Sequence, residues 1–325
     1  MAASADHLKA LVQAHAAGDE DSFYAVALQV AAKAARQGHN RLAGDLKEMI
    51  DAARARPLPR PGPIPVVRPK GELAELVTAG YPEIRLGEMT LGRAVQNALE
   101  RVLREQRSRG LLENHGFEPI HRVLLVGPPG TGKSMTAEAL AGELGLPLFT
   151  IRLDGVISKF MGETSTKLRT VFEAAKQSRA VYLFDEFDAI GAERAAKNDV
   201  GEVRRILNSF LLFLDETHPE SLVVAATNHP DLLDRALFRR FDSVITYDLP
   251  DRKQAGEVMR GRLINMDTCT VDWAAVDDHA AGLSHAELVK ASESAAKAAI
   301  LAGHGRVDTA ALTGALDERR AARRD

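Results

Sequence analysis

The stretch Gly127-Pro128-Pro129-Gly130-Thr131-Gly132-Lys133-Ser134 constrains this chain more than any other. A run of apolar residues, Val123-Leu124-Leu125-Val126, leads directly into it, and a helix-like pattern begins at Met135. Strand, glycine-rich turn and helix, in that order, build a cradle for phosphate. The glycines let backbone N–H groups turn inward, and the helix start adds its partial positive charge. Lys133 is placed to reach terminal phosphates, and Ser134 to offer a hydroxyl to Mg²⁺.

A second stretch completes the chemistry that the first begins. Val181-Tyr182-Leu183-Phe184-Asp185-Glu186 reads as an apolar strand that ends in two carboxylates. A buried strand has no structural need of that ending, but a metal–phosphate site does. Asp185 is suited to hold Mg²⁺ through its water shell, and Glu186 to orient and deprotonate an attacking water. A third apolar run ends in Ala225-Ala226-Thr227-Asn228, whose amide could help to hold that water. Beyond it, the adjacent pair Arg239 and Arg240 precedes Phe241-Asp242. These are candidates for the charge-stabilising arginines of phosphoryl transfer.

The rest of the chain narrows the setting. At 325 residues it is long enough for about two domains and a substantial core. Its net charge of −3 creates no field that would draw it to nucleic acid or a membrane. The single cysteine, Cys269, permits no internal disulfide and fits a reducing cytoplasm. The N-terminus lacks the basic-then-apolar layout of a signal peptide, and no apolar run reaches membrane-spanning length. The expectation is a soluble cytoplasmic protein.

Residues 1–55 read as a small helical module, broken at Gly18 and Gly38, that would dock a partner. Residues 56–70 carry Pro57, Pro59, Pro61, Pro63, Pro65 and Pro69, a density that favours an extended, semi-rigid linker. Residues 71–250 form the expected nucleotide-binding domain, beginning with a mostly helical segment to Gly116. Strands at 123–126, 148–153, 181–185, 222–227 and 244–247 then alternate with helices. That alternation predicts an α/β fold with a five-stranded parallel sheet covered by helices. Residues 251–325 read as a C-terminal helical lid, and its arginine-rich end reads as a solvated helix terminus.

With these residues in hand, the chain resembles AAA-type ATPases over roughly residues 75–305. GPPGTGKS is similar to the Walker A motif of that family, VYLFDEFDAIGAER to its Walker B region, and AATNHPDLLDRALFRRFD to its sensor 1 and second region of homology. Gly282-Leu283-Ser284-His285-Ala286-Glu287-Leu288 resembles the lid motif of the branch that contains proteasomal ATPases, membrane AAA proteases and katanin-like remodellers. No arginine lies between Asp278 and Gly305, as suits that branch. The resemblance implies that Met135 joins the nucleotide-binding residues and that His285 and Ala286 lie near adenine. Arg262 stands where the family often has histidine. The family separates its two arginines by Pro-Gly; here they are adjacent, with Arg240 the first candidate and Arg239 the second.

Ser158-Lys159-Phe160-Met161-Gly162-Glu163 resembles the aromatic pore loop of ring-forming unfoldases, so Lys159, Phe160 and Met161 are the candidate substrate-gripping residues. The resemblance thus implies an ATP- and Mg²⁺-dependent unfoldase, working as a homo-oligomeric ring, a hexamer, on a protein substrate. It extends to small bacterial AAA proteins, some of them paired with subtilisin-like proteases. The chain itself carries no HExxH stretch. The alternative is an ATP-dependent switch or scaffold that binds a partner protein without threading it.

Overall fold

The computed structural model describes residues 76–153, 163–188, 200–217, 220–233 and 235–322, with a few isolated positions before them. The chain divides into two compact units, Met1–Gly62 and Pro63–Asp325, and the sheet with its helices belongs to the second. The N-terminal module and the proline-rich linker lie outside the described residues, those few positions apart. So do Lys159, Phe160 and Met161.

Among the described residues, six strands form one sheet: β1 (Val77–Gly80), β2 (Arg122–Val126), β3 (Leu148–Ile151), β4 (Val181–Phe184), β5 (Leu222–Thr227) and β6 (Ser243–Thr246). Their order across the sheet is β1-β3-β4-β5-β2-β6. The five expected strands are all present and all parallel. The sixth, β1, corrects the five-stranded expectation. It lies in a segment read as mostly helical and runs antiparallel to β3 at the sheet edge. Leu76 and Val77 supply the reason. Both are buried in the core, and the Leu76 carbonyl accepts the Arg152 amide, so an edge of β3 that would otherwise lack partners is closed.

The central strands are buried on both faces, which is why they read as continuous apolar runs. Their side chains alternate between two cores. Leu124, Tyr182, Phe184, Val223 and Ala225 face one side, where they meet α4 (Glu163–Gln177) and α5 (Val200–Asp215). Val123, Leu125, Leu183 and Val224 face the other, against α1 (Arg93–Arg107) and α3 (Lys133–Leu144). The short helix α2 (Arg109–Asn114) follows α1, and α6 (Arg235–Phe238) precedes β6.

Four further helices, α7 (Arg252–Arg262), α8 (Trp273–Ala280), α9 (His285–Leu301) and α10 (Thr309–Ala322), enclose a third core. Ser284 caps α9 in a capping box with Glu287, which fixes where that helix begins. The arginine-rich end of α10 is partly structural. Arg320 donates to the carbonyls of His279 and Ala281, at the C-terminus of α8. Among the described residues, no helix is long and apolar enough to cross a membrane.

Candidate active site

The phosphate loop leaves the C-terminal end of β2, which lies between β5 and β6 rather than beside β3. In an open parallel sheet, that reversal of strand order opens a crevice at the strand ends. The loop is built around its glycines. A Cβ on Gly127 would lie 2.3 Å from the Tyr247 carbonyl oxygen, and one on Gly130 would lie 2.7 Å from Ser284 Oγ. Gly130 and Gly132 also have φ of +74° and +97°, where side chains are strained. Gly132 is the N-cap of α3 and offers no side chain to its first amides, so those N–H groups are available to an anion. Pro128 is half-buried and Pro129 exposed. Buried Thr131 closes the loop by donating to the Pro128 carbonyl at 2.8 Å.

Lys133 is buried, and its ammonium donates to the carbonyls of Gly127 and Pro128, both at 2.7 Å. Burial pushes its pKa down, while the charges of Asp185 and Asp188 oppose that shift. A buried cation satisfied by loop carbonyls suits a site that receives phosphate. Ser134 Oγ donates to Asp185 Oδ2 at 2.6 Å, so a hydroxyl and a carboxylate meet beside the loop. These hard oxygen donors fit Mg²⁺. No group of three or more His, Cys, Asp or Glu among the described residues forms a metal cage of its own.

Glu186 is exposed beside this pair and has φ +49°, the only positive φ of a non-glycine residue among those described. The next residue, Phe187, is fully buried and packs on Phe210 with ring centroids 4.5 Å apart. Its amide donates to the Ala226 carbonyl at 2.8 Å. The chain is thus pinned to the core immediately after Glu186, and the left-handed turn aims the carboxylate outward. Asp188, which the sequence motifs did not single out, accepts from the Thr227 hydroxyl and the Asn228 amide. It ties the acidic end of β4 to half-buried Asn228 at the end of β5. The spacing Asp185-Glu186-Phe187-Asp188 was the available signal for it.

His285 and Ala286 lie where α9 meets the loop: the Ala286 amide donates to the Gly130 carbonyl at 3.0 Å. His285 lines a cavity of about 610 Å³ with Thr90, Gly132, Met135, Val258 and Arg262. Exposed Met135 supplies part of its apolar wall. Both ring nitrogens of His285 are buried without a well-formed hydrogen bond. Burial pushes its pKa down, and the Thr90 backbone offsets part of that shift. A buried imidazole whose nitrogens lack well-formed hydrogen bonds, beside an apolar wall, suits a nucleotide base. Arg262 turns to Glu293 at 2.6 Å.

Arg239 and Arg240 stand apart from all of this. Both are exposed, and they precede β6, whose first residue pairs with Val123 at the start of β2. The phosphate loop follows the other end of β2, roughly 13 Å further along at ordinary strand rise. Arg240 forms an ion pair with Asp215.

Residues 123–249 match the family model described as "ATPase family associated with various cellular activities (AAA)". An uncharacterised AAA family ATPase of Sinorhizobium fredii, y4kL, is 34% identical over 285 residues, covering 87% of this chain and 86% of that protein. The ATP-dependent zinc metalloprotease FtsH 3 of Sphaerobacter thermophilus is 33% identical over 294 residues, 80% of this chain but 59% of that protein. This chain therefore spans nearly all of the first relative and little more than half of the second. Among solved structures, the FIGL-1 AAA domain has the same fold, with a TM-score of 0.60 and 23% identity over 77% of this chain and 90% of that one.

Proposed function

The chain belongs to the AAA family of ATPases, and on that premise we propose that it is a ring-forming protein remodeller with its active sites shared between neighbouring subunits. Within one subunit, the loop amides and Lys133 bind the phosphates of ATP. Ser134 and Asp185 would hold Mg²⁺, which would supply positive charge to those phosphates. Glu186 takes a proton from the attacking water, and Asn228 orients that water. His285 and the cavity beside it receive the base.

One observation carries the shared-site reading. Arg240 lies at the opposite end of the sheet from its own phosphate loop, and its guanidinium pairs there with Asp215, which also faces Arg122 at the start of β2. An arginine placed on the γ-phosphoryl group is worth roughly 10³–10⁵ in rate. Here that arginine is supplied to a neighbour's ATP, in a ring that we take to be a hexamer. Hydrolysis would then move a loop carrying Lys159, Phe160 and Met161 along a bound polypeptide. A subtilisin-like protease is the separate partner that we propose the ring could serve.

The test mixes two variants that are each inactive. Arg240→Ala keeps an intact Lys133 pocket, and Lys133→Ala keeps an intact Arg240. Mixed rings are expected to recover part of the ATPase activity, because some interfaces combine both intact halves. No recovery in mixtures shown to co-assemble would mean that each subunit serves its own site.

A further inference from the structure

We propose that Arg122 is a positioning residue for Arg240, holding the turn that carries it through a chain of alternating charges, Asp242–Arg122–Asp215–Arg240. The proposal rests on the shared-site reading and adds to it the device that aims the arginine.

Arg122 is the first residue of β2, and its side chain is largely buried at the end of the sheet away from the phosphate loop. Its guanidinium grips Asp242 with two nitrogens, Nε at 3.1 Å and Nη2 at 2.7 Å from Oδ1. The other oxygen of Asp242 accepts the amides of His121 and Arg122, at 3.1 and 2.9 Å. Burial would raise the pKa of Asp242, but these hydrogen bonds and the nearby positive charges outweigh it and hold the carboxyl below the usual range. The third nitrogen of Arg122 faces Asp215 Oδ1 at 3.8 Å, and Oδ2 of the same carboxylate takes Arg240.

The chain Arg240-Phe241-Asp242 is therefore tied at both ends and anchored in the middle. Asp242 is clamped by Arg122, Phe241 is buried, and Arg240 is held by Asp215, the last residue of α5. Arg122 is the one group among the described residues that touches both carboxylates. Arg239 makes no ion pair among the described residues, so the network selects Arg240 of the two. A planar, fixed fork is what such a junction needs, and lysine would not supply it. Without Arg122, the two carboxylates lose their shared counter-charge and the turn is free to shift.

Misplacing a catalytic group by an ångström can lower a rate about 100-fold. Arg122→Ala is expected to lower kcat roughly 10- to 100-fold and to change ATP affinity by no more than about 2-fold. The measurements use the full chain: steady-state kcat, and equilibrium binding of a fluorescent ATP analogue. Mixing separates this role from a general packing defect. Arg122→Ala mixed with Lys133→Ala should recover activity as Arg240→Ala does, whereas Arg122→Ala mixed with Arg240→Ala should not exceed Arg122→Ala alone. Should Arg122→Ala fail to assemble, Arg122→Gln goes through the same mixtures, with the same recovery expected. If Arg240→Ala recovers with Lys133→Ala but neither Arg122 variant does, the positioning role is overturned and the shared site stands. If the Arg240→Ala mixture itself shows no recovery, the shared site falls and this role with it. Loss of ATP affinity equal to the loss of kcat also overturns it.

Discussion

Asp188 holds Asn228 by its backbone: one carboxylate oxygen accepts the Asn228 amide at 3.1 Å and the Thr227 hydroxyl at 3.0 Å. The bond joins the strand that bears the proposed base to the strand that bears the proposed water-holding amide. Hydrogen bonds to a carboxylate acceptor are charge-assisted and worth about 1.5–3 kcal/mol each. Asp188→Ala removes both bonds. It should lower the melting temperature and reduce kcat about 10-fold or more by letting Asn228 drift. Asp188→Asn keeps an acceptor oxygen and should fall between wild type and Asp188→Ala in both measurements. Equal kcat in all three proteins would show that Asn228 needs no such support.

The loop glycines differ in what surrounds them, and this ranks their substitutions. At Gly127 a Cβ would run into the Tyr247 backbone, which cannot step aside. At Gly130 it would meet Ser284 Oγ and Ala286 Cβ, side-chain atoms at the start of α9, with φ +74° adding about 1–2 kcal/mol of strain. Gly127→Ala should therefore lower ATP affinity more than Gly130→Ala. Gly130→Ala should in addition weaken the Ala286–Gly130 hydrogen bond that joins α9 to the loop. Equilibrium nucleotide binding ranks the two, and equal affinities would remove the distinction between rigid and yielding neighbours.

Phe160 tests the remodelling reading separately from the chemistry. Its ring belongs to none of the proposed phosphate-contacting groups, so Phe160→Ala should leave basal ATP hydrolysis within about 2-fold of wild type. Pulling on a polypeptide needs an apolar, sequence-tolerant grip, which the aromatic ring supplies and alanine does not. Processing of a substrate captured with a hydrolysis-dead variant should then fail. Full processing by Phe160→Ala would favour a switch or scaffold that binds its partner without threading it.

The legible parts of this protein are those where chemistry demands particular side chains at fixed local spacing. Lys133 and Ser134 follow the glycines within one turn, and Asp185 and Glu186 end an apolar strand, so both halves of the site can be read before folding. Asp188 looked like one more acid, because its role is a contact with β5, some forty residues away in sequence. Arg122 and Asp242 are 120 residues apart, and neither stretch hints at the other. β1 escaped because four residues, two of them exposed, show no period long enough to separate from the helical signal around them. Thr90, in the wall of the proposed base cavity, was hidden in that same segment.

Glu186 supplies the sharpest test, because its backbone departs from the rule that only glycine sits easily at positive φ. At φ +49° it holds a conformation that disfavours a side chain by about 1–2 kcal/mol. Such strain persists where the surroundings over-determine it, and here Phe187 in the core and the Phe187–Ala226 bond do so. The turn exposes the carboxylate beside the Ser134–Asp185 pair while Asp185 accepts the Glu186 amide at 2.9 Å. If the strain serves proton transfer, two substitutions separate its parts. Glu186→Gln keeps the shape and cannot take a proton, so it should bind ATP as wild type does and lose turnover by roughly 10²–10⁴-fold. Glu186→Gly loses turnover equally but relieves the backbone, and that relief offsets the roughly 0.5–1 kcal/mol of extra chain entropy that glycine brings. It should therefore melt no lower than wild type, unlike an ordinary substitution to glycine. Calorimetry and steady-state hydrolysis decide the matter together. Normal turnover in Glu186→Gln would remove Glu186 as the base, and a large drop in melting temperature for Glu186→Gly would mean that the carboxylate, not the turn, holds this corner of the site in place.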